Sequence, residues 1–174
     1  MAVYCMLQEN VTGLALASAL ALILEATDLL DGWVARRYGV VTNFGKLFDP
    51  FSDAFCRYTL FLGFYAIDVA ALWMIIAIFY RDATISFLRT VAATKNIVIH
   101  ARTSGKFKAI VQGVGTQVIM VTLLMAQIQA PPAWAENLPQ QTMTVVTLIT
   151  LASLFDYLYG NREILAEAWS EEPA

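Results

Sequence analysis

Charge is what this sequence has least of. Of its 174 residues, 14% are Asp, Glu, Lys or Arg, whereas 59% are hydrophobic and the mean hydropathy is +0.61. Soluble domains carry about 25% charged residues, so an ordinary globular composition is excluded. The net charge of −3 and isoelectric point near 5.0 give no footing for nucleic acid. Cysteine is limited to Cys5 and Cys56, without partner-like spacing or a surrounding Cys/His cluster. A disulfide framework or a zinc site would need more ligands, so both are read as reduced residues. The lone histidine, His100, stands in a polar stretch and is read as solvated. The opening MAVYCMLQEN lacks the basic n-region of a secretory signal. There is no internal repeat and no low-complexity segment, and the length predicts one domain over 1–174.

What the sequence has in abundance is long apolar runs. A bilayer core takes about 20 apolar residues as helix. Five segments approach that length, at 11–30, 51–67, 69–91, 107–128 and 142–159. Gly32, Gly39 and Pro50, then Asp68, the polar stretch 94–106, Pro131, Pro132 and Pro139, and finally Gly160 and Asn161 mark their ends. The fourth and fifth have almost no hydrophilic face, which argues against a soluble helical core. The expected fold is an all-α, polytopic transmembrane bundle of five helices, with a solvated amphipathic tail from about 161 to 174. With five crossings, all eleven Lys and Arg residues lie on the side of the 31–50 loop, the 92–106 loop and the tail, or on adjoining helix ends. The positive-inside rule assigns that side to the cytoplasm. Trp73 and Trp134 fit interfacial anchors.

Against that background, residues 28–53, DLLDGWVARRYGVVTNFGKLFDPFSD, carry four carboxylates. At 3.6 residues per turn, Asp28, Asp31, Gly32 and Ala35 share one helix face. Asp49 and Asp53 share another, with Gly45 a further turn back. Pro50 suits a first helical turn, which predicts a helix start near 46–49. A hairpin of the two helices brings the acid pairs together. Four anions in a low-dielectric setting need protonation, basic partners or divalent cations. Hard cations such as Mg²⁺ take carboxylate oxygens and keep positions open for phosphates. Arg36 could meet a phosphate in a fork. A carboxylate-lined cation pathway is the competing reading. The clustering of the acids at one face with Arg36, Arg37 and Lys46 favours an interfacial site for an anionic substrate.

The pattern Asp28-x2-Asp31-Gly32-x2-Ala35-Arg36-x8-Gly45-x3-Asp49-x3-Asp53 resembles the signature of the CDP-alcohol phosphotransferases at all eight fixed positions. The resemblance implies an integral membrane enzyme that moves a phosphatidyl group from a CDP-linked lipid to an alcohol, releasing CMP. It implies that Asp28, Asp31, Asp49 and Asp53 hold two divalent metals, Mg²⁺ or Mn²⁺, and that Asp53 is also the catalytic base. Gly32, Ala35, Arg36, Thr42 and Gly45 match its CDP-lipid-binding positions. A homodimer and a fold of six transmembrane helices are also implied, so the five segments here lack the family's first helix.

Further stretches are similar to the branch acting on glycerol 3-phosphate, the phosphatidylglycerophosphate synthases. RDATISFLR resembles one of their helix segments, in which Glu is frequent at the place of Asp82. GKFKAIVQ resembles their Gly-Lys-x-Lys-Thr-x-x-Gln stretch, with Ala109 in place of Thr, and SLFDY their last helix. An acceptor bearing a phosphate needs cations, and Arg81, Arg89, Lys106 and Lys108 can supply them. The expected substrates are CDP-diacylglycerol and glycerol 3-phosphate at the cytoplasmic face of a cell membrane. Inositol phosphate would meet the same electrostatics. A non-enzymatic membrane partner and a cation transporter are the readings of other classes.

Overall fold

In a computed structural model, the backbone is described at residues 1–8, 10–38, 43–94 and 103–169. Side chains are described at those positions except 28, 29, 31–38, 43–51, 53, 93, 94 and 167–169. Among the described residues the fold is all-α. The helices are α1 (Ala2–Met6), α2 (Val11–Tyr38), α3 (Asn43–Ala66), α4 (Leu72–Thr94), α5 (Thr103–Ile128), α6 (Leu138–Gly160) and α7 (Arg162–Trp169).

The five long helices coincide with the five apolar segments, but several run further than expected. α2 continues past 30 to Tyr38, through Gly32. One glycine costs a helix only about 1 kcal/mol relative to alanine, and the Ala-Arg-Arg run behind it favours helix. The expected 31–50 loop is therefore mostly helical. α3 begins at Asn43 rather than near 46–49, which puts Pro50 eighth in the helix instead of in its first turn. α5 takes in 103–106, and α6 starts at Leu138 with Pro139 at its second position, where a missing N–H costs nothing.

Local chemistry sets the other ends. The Asn10 side-chain oxygen accepts the Gly13 N–H at 2.7 Å and caps α2. At the end of α3, Asp68 takes a left-handed φ of 57°. The Val69 N–H then reaches the Phe64 carbonyl at 2.9 Å, and the Asp68 N–H reaches Tyr65 at 3.1 Å. This is the Schellman arrangement, with Asp standing where Gly is usual. The tail also folds: α7 leans on α4 and α6 after Asn161, whose side-chain amide donates to the Tyr157 carbonyl.

The long helices close into a ring. α2 packs on α5, α5 on α6, α6 on α4 and α4 on α3, while α1 bridges α2 and α3. Met6 of α1 is fully buried with Phe61, Phe64, Ile78, Ile119, Met120 and Met143. The outward faces are also apolar, with Leu62, Phe79, Val114, Leu148 and Phe155 all at least half exposed. An apolar exterior around an already filled core suits lipid rather than water. Among the described residues, α5 and α6 are long and apolar enough to cross a membrane. Cys5 and Cys56 are free thiols.

The tightest seam joins α5 to α6. A Cβ at Gly115 would stand 2.5 Å from Val146 Cγ2, so the helices approach over a missing side chain. Gly115→Ala is expected to cost about 1–3 kcal/mol through overpacking. Adding Val146→Ala should recover most of the loss. Thermal midpoints in detergent check this, and an unshifted Gly115→Ala midpoint would show that the seam yields.

Candidate active site

The signature lies on two helices. Asp28, Asp31, Gly32, Ala35 and Arg36 fall within α2, and Gly45, Asp49 and Asp53 within α3. The side chains of all eight lie outside the described residues, and Thr42 lies outside them entirely. One turn deeper, on each helix, stands a described ionisable side chain. Glu25 stands three positions before Asp28 on α2, and Arg57 four after Asp53 on α3. Each is about 6 Å or less along its helix from its signature acid.

These two residues meet. Arg57 Nη2 is 3.5 Å from Glu25 Oε1, while Nη1 donates to Gln112 Oε1 at 3.2 Å and to the Ala109 carbonyl at 3.3 Å, both on α5. Gly113 permits this approach, because a Cβ there would come within 2.7 Å of the Glu25 carboxylate. Gln112, fully buried, passes the network on by donating from Nε2 to Thr150 Oγ1 of α6 at 3.1 Å.

A second centre forms around Asp82 of α4. Its Oδ1 accepts from Arg81 Nη1 at 2.7 Å and from Lys108 Nζ at 2.9 Å. Its Oδ2 accepts from Lys108 Nζ at 2.8 Å and from the Tyr58 hydroxyl at 2.9 Å. Arg81 Nε donates to Ser153 Oγ at 3.0 Å, and Ser153 in turn donates to the Thr150 carbonyl. The two centres therefore share Thr150 and join α2, α3, α4, α5 and α6 at one level. In these contacts three cations, Arg57, Arg81 and Lys108, meet two carboxylates, Glu25 and Asp82, and a third carboxylate, Asp156, accepts from Ser104 one turn beyond Ser153.

The four cations expected to meet an acceptor phosphate divide. Arg81 and Lys108, 7% and 8% exposed, come together on Asp82. Lys106, two positions from Lys108 and so about 200° around α5, is exposed instead. Arg89 is exposed as well, with its guanidinium 5.6 Å from the centre of the Tyr157 ring. The sequence reading missed Glu25, Arg57, Tyr58 and Asp82 as site residues. The available signal was ionisable side chains within apolar helices, which are costly there unless paired or functional. Among the described residues no other group of three or more carboxylate, cysteine or histidine side chains gathers, so they offer no rival donor set for a metal.

Comparison with known proteins adds an independent line. Residues 1–153 match the CDP-alcohol phosphatidyltransferase family. The chain is 33% identical over 143 residues to a Treponema pallidum protein, CDP-diacylglycerol–glycerol-3-phosphate 3-phosphatidyltransferase. That match covers 80% of this chain but 66% of the relative's own length. A Bacillus subtilis protein of the same name is 29% identical over 158 residues, covering 90% of this chain and 79% of the relative. A probable phosphatidylglycerophosphate synthase of Mycobacterium tuberculosis (strain H37Rv) is 32% identical over 97 residues, 56% of this chain and 46% of the relative.

Arg57 pins α3 to α2 and α5 at once, so Arg57→Gln should loosen the bundle beneath the signature. Its partners are partly hydrated, and the expected cost is about 1–2 kcal/mol. Glu25→Gln added to Arg57→Gln should restore part of it by removing the stranded carboxylate. The comparison is again of midpoints in detergent, and full stability of Arg57→Gln would mean that the pin carries no weight.

Proposed function

The chain belongs to the CDP-alcohol phosphatidyltransferase family, and from that premise we propose that it transfers a phosphatidyl group from CDP-diacylglycerol to glycerol 3-phosphate, releasing CMP. What supports this most is the continuity of the site: an eight-position signature on α2 and α3 lies one turn from a polar layer that gathers Arg57, Arg81 and Lys108 with Glu25 and Asp82. The relatives' names point to the same acceptor.

In the reaction, the acceptor hydroxyl oxygen forms a bond to the phosphorus that carries diacylglycerol. The pyrophosphate bond breaks, and CMP leaves with its electron pair. Asp53 receives the hydroxyl proton; position compensates for the weak basicity of a carboxylate. Gly32, Ala35, Arg36, Thr42 and Gly45 form the surface for the nucleotide and its phosphates, with the small residues leaving room and Arg36 supplying a fork of donors. Four carboxylates are the hard-oxygen donor set that Mg²⁺ prefers, so Asp28, Asp31, Asp49 and Asp53 would hold two such ions. When bound, the ions would neutralise the pyrophosphate and the charge on departing CMP. Arg81, Arg89, Lys106 and Lys108 attract the acceptor's phosphate, and Arg81 has the most constrained position. The protein sits in a membrane with this end toward the cytoplasm, because the basic residues concentrate there.

The test is CMP release from CDP-diacylglycerol and Mg²⁺ with glycerol 3-phosphate, inositol phosphate, inositol, serine or phosphatidylglycerol as acceptor. Glycerol 3-phosphate should be preferred. Preference for inositol phosphate would move the acceptor assignment but keep the chemistry. No release with any acceptor would leave a membrane partner, and ion flux independent of CDP-lipid would favour a transporter.

Asp28→Asn, Asp31→Asn and Asp49→Asn should each abolish release at saturating Mg²⁺, since each removes an anionic ligand from a shared cluster. Asp53→Asn should lose turnover while still binding CDP-diacylglycerol in a direct binding assay. Substantial turnover by that variant would take the base role away from Asp53.

A further inference from the structure

Asp82 has no capacity left for a substrate. A carboxylate offers about four lone-pair sites. Asp82 uses four, two on Oδ1 for Arg81 and Lys108 and two on Oδ2 for Lys108 and Tyr58. Lys108 spends two of its three ammonium donors on Asp82, lying within 2.9 Å of both carboxylate oxygens. The pair is electrically neutral. Arg81 is different. Nη1 is held by Asp82 and Nε by Ser153, from two different helices. Its third nitrogen, Nη2, takes no part in these bonds and lies beside Gly105, in the first turn of α5. A Cβ added there would stand 3.9 Å away, in ordinary contact, so Gly105 itself puts no side chain against Nη2.

We infer that Asp82, with Lys108 as its counter-charge and Tyr58 as its brace, is a positioning residue that aims Arg81 Nη2 at the acceptor's phosphate. The inference rests on the reading of the protein as a transferase that uses a phosphorylated acceptor. It separates two residues that charge alone had grouped together. Arg81 touches the phosphate, and Lys108 acts through Asp82. A free arginine samples many rotamers, and holding two of its three nitrogens removes that freedom before the acceptor arrives. Without Asp82, Lys108 would be a buried ammonium with no partner. An unpaired buried charge is costly, so the site would lose its brace and strain the packing around Lys108.

The experiment uses the full chain in detergent or vesicles, with CMP release followed while acceptor and CDP-diacylglycerol are varied in turn. Arg81→Ala sets the scale for losing the phosphate contact. Asp82→Asn should raise the acceptor KM about 10-fold or more, as expected for most of one charge-assisted bond, and leave the CDP-diacylglycerol KM within about threefold. Asp82→Glu should restore the acceptor KM to near the parent value, because the carboxylate returns. Tyr58→Phe should raise it by about two- to fivefold, less than Asp82→Asn because Asp82 keeps its bonds to Arg81 and Lys108. This variant keeps the test open if Asp82→Asn fails to fold. An Asp82 that only holds the fold would lower the active fraction and leave both KM values alone, which overturns the inference. An Asp82→Glu variant no better than Asp82→Asn would do the same. The parent chain distinguishes the two levels. If it turns over only an unphosphorylated acceptor, the acceptor reading fails and this inference falls with it. If it uses glycerol 3-phosphate and the variants show no split in KM, the acceptor reading stands and the inference alone fails.

Discussion

The structure depends on how charges are neutralised inside an apolar bundle. Arg81 and Lys108 are more than nine-tenths buried, and burying two cations without an anion would cost more than helix packing returns. Asp82 resolves this with one carboxylate, but only where α3, α4 and α5 meet closely enough for Tyr58, Arg81 and Lys108 to reach it. Ser153 of α6 must then be within reach of Arg81. Apolar contact fixes helix register through packing, as at Gly115 and Val146, but without the directionality of a hydrogen bond. Bonds of 2.7–3.0 Å do not permit sliding. The polar layer therefore holds the register of four helices directionally, and the apolar core fills in around it.

That register reaches the signature through a second linkage. α2 and α3 carry the two halves of the acid pattern, and α2 rests chiefly on α1 and α5 while α3 rests on α1 and α4. Arg57 ties α3 to Glu25 of α2 and to Gln112 and Ala109 of α5. Gln112 then hands the connection to Thr150, the residue whose carbonyl receives Ser153. A displacement around Asp82 can thus be felt at the turn beneath Asp28 and Asp53 through residues in direct contact.

Much of this was legible in the sequence, and the reasons are physical. Helix identity survives because runs of about 20 apolar residues have few other solutions. The acid pattern is placed on helices as its spacing predicts, Asp28 and Asp31 in α2 and Asp49 and Asp53 in α3, while their side chains lie outside the described residues. Boundaries were less legible. Gly32 reads as a stop signal, yet in the middle of good helix formers it is only a small penalty, so α2 continues to Tyr38. Pro50 reads as a first-turn residue, yet α3 begins at Asn43. The largest gap concerned Asp82 and Glu25. Their partners come from helices up to 32 residues away in the chain, and one-dimensional spacing says nothing about which helix faces which. Lys106 and Lys108 illustrate the same limit. Both are basic residues in one motif, but the helix turns them to opposite sides, one exposed and one locked onto Asp82.

The bundle is also divided along its length. From Asp53 toward the far end, α3 passes Arg57 and Tyr58 and then Phe61 and Phe64. α5 likewise passes Lys108 and Gln112 before Ile119 and Met120, while α4 and α6 run the opposite way, from Ile78 to Arg81 and from Met143 to Thr150 and Ser153. All four change from apolar to polar at a common level because the polar groups can be satisfied only by one another. An isolated polar side chain on any one helix would be stranded in the core. This sharing explains why the chemistry-bearing residues crowd one end. Asp82 pairs with both Lys108 and Arg81, and Glu25 pairs with Arg57. Arg81 is the most constrained of these cations, its guanidinium held at Nη1 by Asp82 of α4 and at Nε by Ser153 of α6.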